Sequence, residues 1–157
     1  NGSDLALGIK RVDSLEALFA DSDIVTIHVP LSGETQNLVN AEVLSHAKKG
    51  LVLINAARGE VVDADALFES LKSGQIGGAG LDVLPEEPSN MSHPLIAAWH
   101  AEEDWIVDRV LITPHSAFYT PQSLFDMRTK GITVALKYLQ TGRLENCVNQ
   151  EFIVNQR

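Results

Sequence analysis

Leu51-Val52-Leu53-Ile54-Asn55-Ala56-Ala57-Arg58-Gly59-Glu60-Val61-Val62-Asp63 is the stretch on which the reading of the fold turns. Four consecutive apolar residues are too few for an isolated helix and suit a strand buried on both faces. The run stops at Asn55, passes two alanines, and delivers Arg58 followed at once by Gly59. A guanidinium just past the carboxyl end of a buried parallel strand lies where open α/β sheets bind ligands. It can hold a planar carboxylate through two parallel charge-assisted hydrogen bonds, which an ammonium cannot. Gly59 is read as the residue that lets the backbone turn away. Taken alone, the stretch is equally compatible with a solvated arginine at a strand end.

Composition narrows the class. With 157 residues, 45% hydrophobic and 21% charged, the chain suits a soluble globular domain with a substantial core. No apolar run approaches the roughly 20 residues needed to span a bilayer. A formal net charge of −9 argues against nucleic acid or an anionic membrane as a main partner. The single cysteine, Cys147, excludes an internal disulfide and suits a reducing compartment, so a cytoplasmic location is expected. Asn1-Gly2-Ser3-Asp4 is turn-like and polar, unlike a signal peptide.

Outward from the central stretch, apolar runs alternate with helical patterns. Leu5 to Val12 suits a short strand, and Asp13 with Glu16 forms a capping-box pattern before a helix carrying Leu15, Leu18 and Phe19. Ile24-Val25-Thr26-Ile27 reads as a strand running into His28-Val29-Pro30, where Pro30 must end it. Asn40 caps a helix to about His46, and Asp63 caps one with Leu67, Phe68 and Leu71 that stops at Gly74. Ala79 to Val83 and Arg109 to Thr113 read as further strands. Between them lies a long acidic connection, helical over Pro94 to His100. Thr120-Pro121 opens a long helix that Gly142 ends, with Leu124, Met127, Val134, Ala135 and Tyr138 sharing a face. This order predicts an α/β fold with a Rossmann-type parallel sheet and a long carboxyl-terminal helix. The expected division is residues 1–120 and a helix and tail over 121–157.

Three strands end near residues able to do chemistry: Arg58, Glu87 and His115. Successive strand ends of a parallel sheet converge on one edge, so residues far apart in sequence become neighbours. A histidine gives or takes a proton near neutral pH, and a neighbouring carboxylate stabilises its imidazolium and orients the ring. An arginine anchors a substrate carboxylate and polarises an adjoining carbonyl. Together they suit reduction of a 2-keto acid by hydride from a cofactor. A capping histidine and an exposed acidic turn at Glu86-Glu87-Pro88 are the plainer readings of the last two.

The ordered motifs Asn55 to Asp63, Gly80-Leu81-Asp82-Val83 with Glu87-Pro88, and Thr113-Pro114-His115 resemble the D-isomer-specific 2-hydroxyacid dehydrogenases. His115-Ser116-Ala117-Phe118-Tyr119, with Gly142-Arg143 and Asn146 to Asn149, is similar to the branch containing the C-terminal binding proteins. The resemblance implies that Arg58 binds substrate, Glu87 is the partner carboxylate and His115 the acid/base. It implies that Asp82 contacts the nicotinamide carboxamide, that His28, Val29 and Pro30 pass the cofactor, and that Ala56 and Ala57 lie beside the nicotinamide. NAD is the implied cofactor, with NADP left open, and no metal is expected. The implied partner is a small 2-keto or 2-hydroxy acid.

The family's Gly-rich phosphate turn and acidic ribose-binding residue have no counterpart here, since Gly74, Gly77, Gly78 and Gly80 lead into a strand rather than leave one. The expectation is therefore the carboxyl-terminal half of a dinucleotide-binding domain. Its Ile24 strand would be a sheet edge, paired in a homo-oligomer or with the missing half. Alone, it should bind NADH weakly and be inactive. A nucleotide-sensing co-repressor module, in which case a nuclear location applies, and an inert fragment are the rival classes. Phe118 stands where the C-terminal binding proteins carry Trp, and the segment from Pro88 to His115 is longer than theirs.

Overall fold

The computed structural model describes residues 6–150, in two compact units that meet in sequence between Ala117 and Phe118. In the first unit the elements run α1 (Leu15–Asp21), β1 (Ile24–Ile27), α2 (Ala41–Ser45), β2 (Leu51–Asn55) and a 3-10 turn (Gly59–Val61). There follow α3 (Ala64–Lys72), β3 (Ile76–Leu81), α4 (Pro94–His100) and β4 (Val110–Ile112). All neighbouring strands are parallel and lie in sequence order, β1-β2-β3-β4. Each crossover carries a helix, and consecutive helices touch one another.

Side-chain period explains the burial. β2 buries Leu51, Leu53 and Asn55 completely while Val52 and Ile54 are half-buried. β1, at one edge of the sheet, buries Val25 and Ile27 but exposes Ile24, so it is covered on one face only. Phe19 of α1, Leu44 of α2, Leu67 and Leu71 of α3, and Leu95 and Ala98 of α4 complete a single core. Fully burying each large aliphatic side chain contributes about 1.5–3 kcal/mol.

Helix starts follow side-chain caps. Asn40, Asp63 and Thr120 accept from Val43, Ala66 and Ser123 N–H groups, as the sequence predicts. At α1 the cap is Ser14, accepting from Ala17 N, and not the expected Asp13. The helix begins one residue later than the Asp13–Glu16 spacing suggests, and the shorter hydroxyl reaches the amide. α4 begins as predicted at Pro94, capped by His93, whose Nδ1 accepts from Leu95 N.

Two strand expectations are corrected. Residues 6–12 contain no strand, and Leu5 lies outside the described residues. β3 runs from Ile76 to Leu81, so Gly77, Gly78 and Gly80 are part of the strand while Gly74 alone precedes it, and Asp82 and Val83 lie beyond its end. Close approach of neighbouring backbones explains the glycines. A Cβ on Gly77 would stand 2.4 Å from the Gly50 carbonyl oxygen, and one on Gly78 2.8 Å from that of Arg109.

Arg109 closes this end of the sheet. Its Nε donates to Gly77 O at 2.9 Å and Nη1 to Trp105 O at 2.7 Å. Nη2 donates to Leu71 O at 2.9 Å and Ile76 O at 2.7 Å. One guanidinium thus joins the end of α3, the start of β3 and the long connection, and it complements the negative end of α3. That connection is packed, with Ile106 buried and Trp105 edge-on to Phe68 at 5.7 Å between ring centroids.

The second unit contains α5 (Pro121–Thr141), with a capping box at Thr120 and Ser123 and a left-handed Gly142 at its end. No α5 residue is buried: Leu124 and Val134 of the expected face are half-buried, Met127 and Tyr138 exposed. No helix among the described residues is long and apolar enough to cross a membrane.

Arg109→Met keeps the length of the side chain but removes every donor. Leaving those part-buried carbonyls unserved should cost about 2–4 kcal/mol. Urea denaturation reads this as a lower midpoint at unchanged slope. An unchanged midpoint would mean water replaces the guanidinium without cost.

Candidate functional site

The sheet register sets the site. Ile27 pairs with Asn55, Asn55 with Leu81, and Leu81 with Ile112, so the four strands end on one level. One residue further along stand His28, Ala56, Asp82 and Thr113. Arg58 and His115 each follow three residues after their strand's last paired residue, and Glu87 six after Leu81.

The expected residues gather into two adjoining groups along this level. His28, Val29, Pro30, Ala56, Ala57 and Arg58, with Leu31, line a cavity of about 460 Å³. Asp82, Glu87 and His115 line another of about 510 Å³, together with Thr113 and Trp99. No residue lines both, so Arg58 and the Glu87–His115 pair line separate cavities.

Within the first group, Asn55 is fully buried at the end of β2. Its Oδ1 accepts from Ala57 N at 3.0 Å and its Nδ2 donates to Arg58 O at 2.9 Å. The exposed Arg58 side chain returns through Nη1 to Ala57 O at 2.6 Å. His28 Nε2 lies 2.9 Å from Thr26 Oγ1. Gly59 has a different reason from the one its sequence suggests. Its φ is not positive, but a Cβ there would fall 2.0 Å from the Leu84 carbonyl carbon and 2.4 Å from Pro85 N. It is glycine because the segment leading to Glu87 passes directly over it.

In the second group, His115 Nδ1 lies 2.7 Å from Glu87 Oε2. Hydrogen bonding to His115 holds the Glu87 carboxyl below its ordinary value, helped by the N–H of Leu84 on Oε1 at 3.0 Å. An ionised carboxylate only accepts, so Nδ1 carries the hydrogen of this bond. His115 occupies left-handed backbone at φ 51°, which non-glycine residues adopt only when surroundings dictate it.

Asp82 supplies those surroundings. Its Oδ1 accepts from Thr113 Oγ1 and from Ser116 N at 2.9 Å, and its Oδ2 from Ala117 N at 2.8 Å. Burial alone would raise the Asp82 carboxyl, but these three donors and the His115 charge outweigh it and hold the group below its ordinary value. Among the described residues, no three His, Cys, Asp or Glu side chains are grouped to hold a metal ion.

The sequence reading missed the part played by Asn55 and Thr113. A polar residue ending a four-residue apolar run was the available signal for Asn55. Thr113 stands in the Thr113-Pro114-His115 motif, but nothing local to it points to Asp82, 31 residues away.

Residues 3–117 match the family described as "D-isomer specific 2-hydroxyacid dehydrogenase, NAD binding domain". The chain belongs to this family. The match ends at the residue that closes the first compact unit. A D-3-phosphoglycerate dehydrogenase of Haemophilus influenzae is 37% identical over 140 residues, covering 89% of this chain and 33% of that protein. A glyoxylate reductase of Thermofilum pendens is 42% identical over 126 residues, covering 78% and 34%. Among solved structures, D-lactate dehydrogenase from Aquifex aeolicus, complexed with NAD and lactic acid, superposes with a TM-score of 0.74 at 35% identity. There the coverage is 87% of this chain and 43% of that one. The chain therefore spans between a third and a half of the length of these relatives.

Asp82 carries a pH signature. A carboxyl whose folded pKa is lowered adds stability that is fully present above its unfolded value, near 3.9, and is lost as pH falls through the folded value. Asp82→Asn should therefore lower the urea midpoint at pH 6, and the gap to the unaltered protein should close as pH drops below about 4. A gap constant with pH would mean the charge of Asp82 contributes nothing.

Proposed function

We propose that this chain forms part of an NAD-dependent oxidoreductase interconverting a small 2-keto acid and a D-2-hydroxy acid. The hydrogen-bonded His115–Glu87 pair, on the strand-end level that also bears Arg58, carries this reading. The first cavity suits the nicotinamide side of the cofactor, because two alanines and the Val29-Pro30 segment give small apolar walls for a flat ring. NAD, when bound, supplies or takes the hydride.

The chain's own residues do the rest. Arg58 holds the substrate carboxylate through its paired donors. Glu87 fixes the His115 ring through Nδ1, so proton exchange with the substrate oxygen falls to Nε2. In reduction His115 gives a proton to the carbonyl oxygen, and in oxidation it takes one from the hydroxyl. Asp82, by family resemblance, meets the carboxamide of the nicotinamide with the acceptor capacity its three donors leave. NADP is compatible with the same residues.

The finer branch assignment, to proteins like the C-terminal binding proteins, rests on the His115 to Tyr119 and tail motifs alone. The relatives described above are named dehydrogenases and reductases, which favours catalysis over a nucleotide-sensing co-repressor role. A second half of the domain, or a second copy of the chain, would cover the exposed edge at β1, and the 157 residues alone would bind NADH weakly and turn over nothing.

In the enzyme that contains this chain, His115→Ala should lower turnover by roughly 10²-fold or more. Glu87→Gln should shift the pH midpoint of reduction to lower pH by removing the charge that stabilises the imidazolium. Unchanged turnover in the first variant overturns the assignment. Arg58→Lys keeps the charge but loses the fork, so the Ki of a carboxylate inhibitor such as oxamate should rise at least tenfold. Equal inhibition would mark Arg58 as a solvated side chain.

A further inference from the structure

We propose that Asn55 and Asp82 form one buried polar latch that holds the Arg58 turn and the His115 turn in fixed relation, making them positioning residues. The inference rests on the proposed oxidoreductase reading for its consequence, though not for its geometry. Asn55 and Asp82 are the buried polar side chains among the described residues, at 1% and 8% exposure. They stand side by side where β2 and β3 end, and Asp82 N donates to Asn55 O at 2.9 Å.

Each then reaches forward into a different turn. Asn55 uses both ends of its amide, accepting from Ala57 N and donating to Arg58 O, so it sets the backbone immediately before and at the arginine. Asp82 uses both oxygens on the 113–117 segment, binding the residues that flank His115 on either side. The His115 backbone closes inside that grip, its N donating to Thr113 O at 3.0 Å. A histidine at φ 51° needs such over-determination, since its strained backbone would otherwise relax.

The link through Asn55 O and Asp82 N makes the two grips one unit. A backbone that tilts at one of these residues moves the partner to which the other residue's backbone is bonded, and the side chain of that residue moves with it. Asn55 and Asp82 are buried at the strand ends, so water has little access to the acceptor and donor atoms they contribute. The outcome is a set distance between the group that binds carboxylate and the group that moves the proton.

The test uses three variants of the enzyme containing this chain. Asn55→Asp removes the donor to Arg58 O while conserving shape; Thr113→Val removes one bond to Asp82; Thr113→Ser restores it. Two-dimensional 1H–15N spectra without cofactor should show Asn55→Asp displacing the Ser116 and Ala117 amide resonances as well as that of Ala57. Displacement confined to residues near position 55 overturns the single latch whether or not the protein is a dehydrogenase. Kinetically, Thr113→Val should lower kcat by about 10- to 100-fold with a smaller change in KM. Thr113→Ser should recover most of that loss. A Thr113→Val variant with unaltered kcat, or a Thr113→Ser variant as slow as the valine form, overturns the positioning role. If the spectra show coupling while no 2-keto acid is turned over by the unaltered enzyme, the latch stands and the proposed function fails.

Discussion

Everything at the site depends on one constraint, the common level at which four parallel strands end. Because Ile27, Asn55, Leu81 and Ile112 share that level, the loops after them start together and cannot scatter. A register slip of one residue on β3 would turn Asp82 away from the 113–117 segment and reverse the burial of Leu81. Core packing of Leu51, Leu53, Ile76 and Leu81 against α2 and α3 fixes that register. The apolar interior thereby determines where a carboxylate and an imidazole meet.

Above that level polar groups take over from packing. Asp82 is a charged group inside an apolar fold, tolerable because three donors converge on it. Glu87 differs: its side chain is 40% exposed, so its hydrogen bond to His115 contributes little to stability. Gly59 connects the two groups sterically, since the chain leading to Glu87 lies against it without room for a Cβ. Such close approach explains why the loops of two neighbouring strands behave as one surface.

Much of this was legible in the residues. Apolar runs at Ile24 and Leu51, caps at Asn40, Asp63 and Thr120, and the Pro94 helix start follow from local physics, and the structure has them where expected. The amino end of β3 was not legible, because Ile76-Gly77-Gly78 has poor strand propensity and its glycines answer to neighbouring backbones far off in sequence. Leu5 to Val12 misled in the opposite direction, since a few alternating apolar residues make no strand over residues 6–12 without a partner. At the site, Arg58, Glu87 and His115 announce themselves as chemical groups next to strand ends. Thr113 and Arg109 do not, because partners about 30 residues away are supplied only by tertiary structure, and Asn55 does not, because its partners are backbone groups of the turn it begins.

In the proposed mechanism Glu87 fixes the proton of His115 on Nδ1 and so assigns proton transfer to Nε2. Nitrogen-15 spectra of the histidine ring, recorded above the pH at which the imidazolium loses its proton, measure this directly. The His115 ring should be in the Nδ1-protonated form, and Glu87→Gln should shift it toward a mixture of the two tautomers. A ring predominantly protonated at Nε2 in the unaltered protein would contradict it.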